Sequence, residues 1–180
     1  MKKVVFILLL SVITMNSFYA QTLKIGIKGG LNYANLTDTS IKTDAITSYH
    51  AGLIGEISLS DSFALQPELL YSTQGASYKN AIGEFKNELG YISIPLLAKI
   101  NLNKSISLEM GPQASFLLSK KDEFNLNDYN SFDFSVNGGL GLKLTKSLFI
   151  QARYNLGLSE ISKNADAKNS VFQLSAGILF

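Results

Sequence analysis

The chain has 180 residues, with 16 basic and 14 acidic side chains, a single histidine and no cysteine. The missing cysteines exclude a disulfide scaffold, cysteine metal sites and lipidation on an N-terminal cysteine. The near-balance of charge gives no basic surface for nucleic acid, and the length suits one domain.

Lys2 and Lys3 precede an apolar stretch, Val4 to Ile13. A basic start and about ten apolar residues describe a secretory signal, too short to span a bilayer as a helix. Small and polar residues follow, so residues 1–20 are expected to be removed between Ala20 and Gln21, although Phe18 is larger than the usual residue three places before a cut. The mature chain, 21–180, then carries 14 charges of each sign. It holds no helix-length apolar run, so only a closed barrel of strands would let it cross a membrane.

Alternation with a period of two, one face apolar and the other polar or small, predicts eight strands. The first, Leu23 to Ala34, turns Leu23, Ile25, Ile27, Leu31 and Tyr33 one way and Lys24, Gly26, Lys28, Gly30 and Asn32 the other. After a polar loop over 35–48, Tyr49 to Leu59 places Tyr49, Leu53 and Ile57 outward and His50, Gly52 and Glu56 inward. Ser60-Asp61-Ser62 is a tight turn. Phe63 to Thr73 faces Gln66, Glu68 and Ser72 inward, and a second polar loop is expected over 74–87. Glu88 to Leu102 turns Tyr91, Ser93, Lys99 and Asn101 inward, with a bulge or local bend expected at Pro95. Asn103-Lys104-Ser105 turns into Ile106 to Leu118, with Glu109, Gly111, Gln113 and Ser115 inward. A third loop, 119–131, leads to Phe132 to Leu144, with Asp133, Ser135, Asn137, Gly139, Gly141 and Lys143 inward. Thr145-Lys146-Ser147 joins Leu148 to Leu158, which turns Gln151, Arg153 and Asn155 inward. A fourth loop, Ser159 to Lys168, precedes the last strand, Asn169 to Phe180.

The connections alternate long and short, as in transmembrane barrels with short periplasmic turns and longer outer loops. An even number of strands returns both ends to the short-turn side. Phe172, Leu174, Ala176, Ile178 and Phe180 alternate to the end of the chain, the pattern of a closing outer-membrane strand. Aromatics at strand ends (Tyr33, Tyr49, Phe63, Tyr71, Phe116, Phe132, Tyr154, Phe172, Phe180) fit interfacial girdles, without tryptophan. The predicted fold is an all-β, eight-stranded antiparallel up-and-down transmembrane barrel. A soluble barrel of the lipocalin kind shares the period with the faces exchanged. The many glycines on the charged face favour a narrow polar interior instead.

The mature chain resembles the PorT-like family of small outer-membrane β-barrels, often labelled porin family. The resemblance lies in Ile25-Gly26-Ile27-Lys28-Gly29-Gly30-Leu31-Asn32, in Leu65-Gln66-Pro67-Glu68-Leu69-Leu70-Tyr71-Ser72 with Gly75, and in Tyr91-Ile92-Ser93-Ile94-Pro95-Leu96-Leu97-Ala98-Lys99. Gly111-Pro112 and Arg153-Tyr154-Asn155-Leu156-Gly157-Leu158 add to it. It implies an integral outer-membrane protein, with no shared catalytic set and no substrate.

The inward charges, Lys24, Lys28, Lys99, Lys143 and Arg153 against Glu56, Glu68, Glu109 and Asp133, predict a paired network that fills the bore. The alternative is a narrow channel for small solutes. His50, beside Ser48 and Tyr49, has the residue types of a lipid-modifying centre with a histidine base and serine nucleophile; a polar interfacial role is the simpler reading. Lys120, Lys121, Asp122, Glu123 and Asp128 lack the order of a calcium loop. Gly29-Gly30 and Gly138-Gly139-Leu140-Gly141 lie inside strands and are not phosphate loops. No catalytic, cofactor or metal residue is assigned. The expected partners are outer-membrane lipid, the barrel-assembly machinery through the strand ending in Phe180, and an extracellular or periplasmic protein, with no nucleic acid. The function expected is a structural or interaction role through the outer loops.

Overall fold

The computed structural model describes residues 22–37, 43–80, 83–122, 130–160 and 167–180. The predicted signal segment lies outside them. Eight strands appear in chain order: β1 (Thr22–Thr37), β2 (Asp44–Ser58), β3 (Phe63–Asn80), β4 (Gly83–Asn101), β5 (Ile106–Asp122), β6 (Phe132–Lys143), β7 (Leu148–Gly157) and β8 (Lys168–Leu179). Each pairs antiparallel with its sequence neighbour, and β1 closes on β8 from Gly26 opposite Leu179 to Thr37 opposite Lys168. Through the apolar belt closure pairs each strand on both sides, which an apolar surround demands.

The alternating side chains sort as the sequence predicts. Leu23, Leu31, Leu140 and Leu174 are among the large apolar residues exposed outward, while Lys28, Glu68, Lys99, Glu109 and Arg153 are buried within. The apolar face therefore points outward, which rules out the soluble, ligand-carrying barrel. From Leu23 to Tyr33 a strand tilted by about 40° rises about 25 Å, the height of a barrel's apolar band. Outer-end aromatics pair across strands. Tyr49 and Tyr71 lie 6.2 Å apart between ring centres, and Phe116 meets Phe132 edge-on at 5.5 Å.

Three departures from the expected strands are informative. The second loop is mostly strand: β3 runs to Asn80 and β4 starts at Gly83, with Gln74 opposite Leu89 and Ser77 opposite Lys86. β2 likewise begins at Asp44, β5 runs on to Asp122 and β8 starts at Lys168. These segments carry no apolar alternation to reveal them, and in the β3–β4 extension Gln74, Ala76, Ser77 and Leu89 are buried. The third departure concerns Pro95, which produces no bulge. It stays in register opposite Gln113, and the ladder to β3 is interrupted between the pairs Pro67–Leu96 and Leu70–Ser93 without a shift. A proline lacks the N–H that a ladder needs, but its fixed φ still suits a strand. The register shifts instead at Gly90/Tyr91 on β4 and between Ala45 and His50 on β2.

At the β2 irregularity, side chains replace the lost ladder. Thr73 Oγ1 accepts the Tyr49 N–H and donates to the Tyr49 carbonyl, both at 3.0 Å. Ser48 Oγ donates to the Thr73 carbonyl at 2.6 Å. Gly75 follows with φ 149°, a conformation that other residues adopt only under strain.

Candidate functional site

The chemistry-bearing side chains converge inside the barrel. Period-two strands aim every second side chain at one axis, so residues distant in sequence meet there. The centre is Arg153 on β7. Its Nη1 and Nη2 donate to Glu68 Oε2 and Oε1 at 3.0 and 2.9 Å, and Nη2 also donates to Glu109 Oε2 at 3.2 Å. The two parallel bonds form the fork that makes arginine–carboxylate pairs strong. Lys28 Nζ pairs with Glu68 Oε2 at 2.9 Å and donates to Gln151 Oε1 at 3.1 Å. Gln151 Nε2 passes on to Glu109 Oε1 at 2.8 Å. Lys99 Nζ lies 2.8 Å from Glu56 Oε2 and 3.7 Å from Glu109 Oε1. Gln66 bridges, accepting from Lys99 at 3.3 Å and donating to Glu68 at 2.7 Å.

Lys28, Lys99 and Arg153 thus face Glu56, Glu68 and Glu109 in one connected circuit. Such charges are tolerable away from water only with this kind of pairing and hydrogen bonding. Lys143 approaches Glu56 at 3.7 Å from the periplasmic side. Lys24 stands opposite Glu56 on the β1–β2 ladder and has no ion pair among the described residues. Asp133 departs from the expected network. It is buried near the outer end and bonds neutral groups, the Ser159 hydroxyl and Asn169 Nδ2, rather than a cation.

Apolar clusters lie above and below. Ala34, Ile46 and Val171 pack together toward the outer end, and Ile54, Phe149 and Leu179 toward the periplasmic end. Sequence alternation gave Ile54, Leu70, Leu97 and Phe149 no side, because each stands next to another apolar residue.

His50 points inward and is 1% exposed. Its Nδ1 meets Asn32 Oδ1 and its Nε2 meets Ser175 Oγ, both at 2.7 Å. An amide oxygen only accepts, so Nδ1 carries a proton, and in the neutral ring Nε2 accepts from Ser175. The connectivity is that of a serine–histidine–asparagine relay. However, Asn32 also bonds Ser72, the Tyr49 and Thr73 carbonyls and Gln173, which makes it the hub of a packed polar layer. Ser48, the serine next in sequence, bonds Thr73 and not His50. Ser175 had no sequence signal for this role, since only barrel closure joins β8 to β1, whereas Asn32 lies on the strand paired with that of His50. Of the predicted charged loop, residues 123–129 and the side chains of Lys120, Lys121 and Asp122 lie outside what is described.

The sequence profile for the outer membrane protein beta-barrel domain matches residues 19–163. The chain belongs to this family. It is an integral outer-membrane protein. No functionally curated protein matches the sequence. The fold is similar to that of Ail from Yersinia pestis, with a TM-score of 0.58, 14% identity, and coverage of 87% of this chain and 98% of Ail. It is also similar to Neisserial surface protein A (0.57, 13%, 88% and 98%). OprG from Pseudomonas aeruginosa is a third such structure (0.53, 12%, 89% and 97%). At these identities the likeness is one of fold. In this outer-membrane barrel the short turns 59–62, 102–105 and 144–147 mark the periplasmic end.

Proposed function

We propose that this protein is a non-enzymatic outer-membrane barrel whose interior is plugged by its own side chains and whose outer strands and loops engage a partner. The observation that carries this reading is the forked Arg153–Glu68 pair with Lys28, Glu109 and Lys99 around it, lying across the barrel axis. An eight-stranded bore is just wide enough for side chains to fill, and here the filling is bonded across strands from β1 to β7. His50 supports the non-enzymatic reading, since both ring nitrogens are engaged and the ring is shut away from lipid. The extension of β3, β4 and β5 carries the strand wall past the apolar belt at the outer end. Within the family, the motifs around Gly29-Gly30 and Pro67-Glu68 support a PorT-like assignment. Removal of residues 1–20 on export, and recognition of the Phe180-ending strand by the assembly machinery, complete the proposal.

A narrow solute channel is the second reading, favoured by the charged and polar side chains of the middle layer. Planar-bilayer recording of the refolded mature protein decides between them. The plugged barrel predicts no stepwise conductance for the unaltered protein; regular steps would establish the channel.

A further inference from the structure

We propose that the periplasmic rim between the β4–β5 turn, the β6–β7 turn and the end of β8 binds an anionic glycerophospholipid of the inner leaflet. Lys24, Lys104, Lys143 and Lys146 line one cavity of about 560 Å³ there, beside Leu144 and Phe180. Lys24 and Lys143 also face Glu56. Lys104 and Lys146, on exposed turns, make no ion pair among the described residues. The cavity therefore offers positive charge at the level of the lipid phosphates, where basic side chains attract anionic headgroups.

The same place opens onto the apolar belt. Leu144 is shared with a groove of about 470 Å³ that continues past Leu148 and Ile178. That groove shares Gly29, Ile150 and Ala176 with a further one of about 610 Å³ that reaches Ala152, Leu31 and Leu174. Gly29 lies opposite Ala176, and Ala152 opposite Leu174, so small residues floor a continuous depression between large ones. A basic pocket joined to an apolar trough matches a phosphate joined to an acyl chain. Free phosphate would use only the pocket, and a soluble acidic peptide would not reach into the belt.

The test is native mass spectrometry of the mature protein in detergent, given equal amounts of phosphatidylglycerol and phosphatidylcholine with the same chains. Phosphatidylglycerol is expected to be retained about tenfold over phosphatidylcholine, with the preference lost in the double variant Lys104→Gln/Lys146→Gln. Ala152→Phe/Ala176→Phe, which fills the trough, is expected to lower retention of both lipids severalfold. Both lysines sit on exposed turns, so the lysine variant carries the test alone if the phenylalanine variant does not fold. Equal retention of the two lipids by the unaltered protein, or a preference that survives the lysine changes, would overturn the proposal. So would millimolar inorganic phosphate abolishing phosphatidylglycerol retention, which would make the pocket a site for a free anion.

Discussion

At the residue scale, Arg153 carries the most. It satisfies two carboxylates at once, and Glu68 in turn holds Lys28. Truncating one partner of a buried pair leaves the others uncompensated, which costs about 3–5 kcal/mol. Arg153→Ala is therefore expected to lower the urea midpoint of the refolded protein strongly, read by far-UV circular dichroism. Asp61→Ala, in the exposed β2–β3 turn, is expected to leave it nearly unchanged. Equal midpoints would show that the circuit contributes nothing to stability. The members of this circuit were legible as inward charges from alternation alone. Their pairing was not, because which strands face each other across the bore depends on barrel tilt and stagger. Asp133 shows the limit: its phase was right, yet its neighbours are Ser159 and Asn169, which no spacing in the sequence links to it.

At the element scale, periodicity located all eight strands and failed at their outer ends. The apolar stripe ends where the lipid ends, but the hydrogen-bonded ladder does not, so β3 and β4 continue over residues that read as a polar loop. The transition between the two regimes is marked by the irregular β2–β3 pairing and by Gly75. A side chain at φ 149° is strained, at about 1–2 kcal/mol. Gly75→Ala is accordingly expected to destabilise the β3–β4 extension. Faster amide hydrogen exchange in residues 74–89 of the variant than of the unaltered protein, with the belt segments of the same strands unaffected, would report it, and unchanged exchange would speak against the strain. Glycines of the belt act differently. At Gly30 and Gly52 a Cβ would run into the neighbouring strand's carbonyl oxygen, of Leu174 and Leu69 respectively, so the tight wall itself requires them. Their inward phase was readable from sequence, but the close approach was not.

At the scale of the whole molecule, an apolar exterior, a charge-balanced interior and complete closure belong together. The exterior needs lipid, the interior needs pairing, and closure removes the edges that neither environment would tolerate. The alternation of short and long polar stretches between the apolar stripes, with both ends of the barrel on the short side, made this architecture readable before any contact was known. The periplasmic lysine pocket was not readable, because Lys24, Lys104 and Lys146 come together only when the first strand and two separate turns meet at one rim. The most direct measurement is electrophoretic mobility of the mature protein in mild detergent, unheated against boiled. A closed barrel held by its ladder and interior circuit predicts a compact, faster-migrating form before heating and a slower one after boiling. A single mobility under both conditions would contradict the closed barrel.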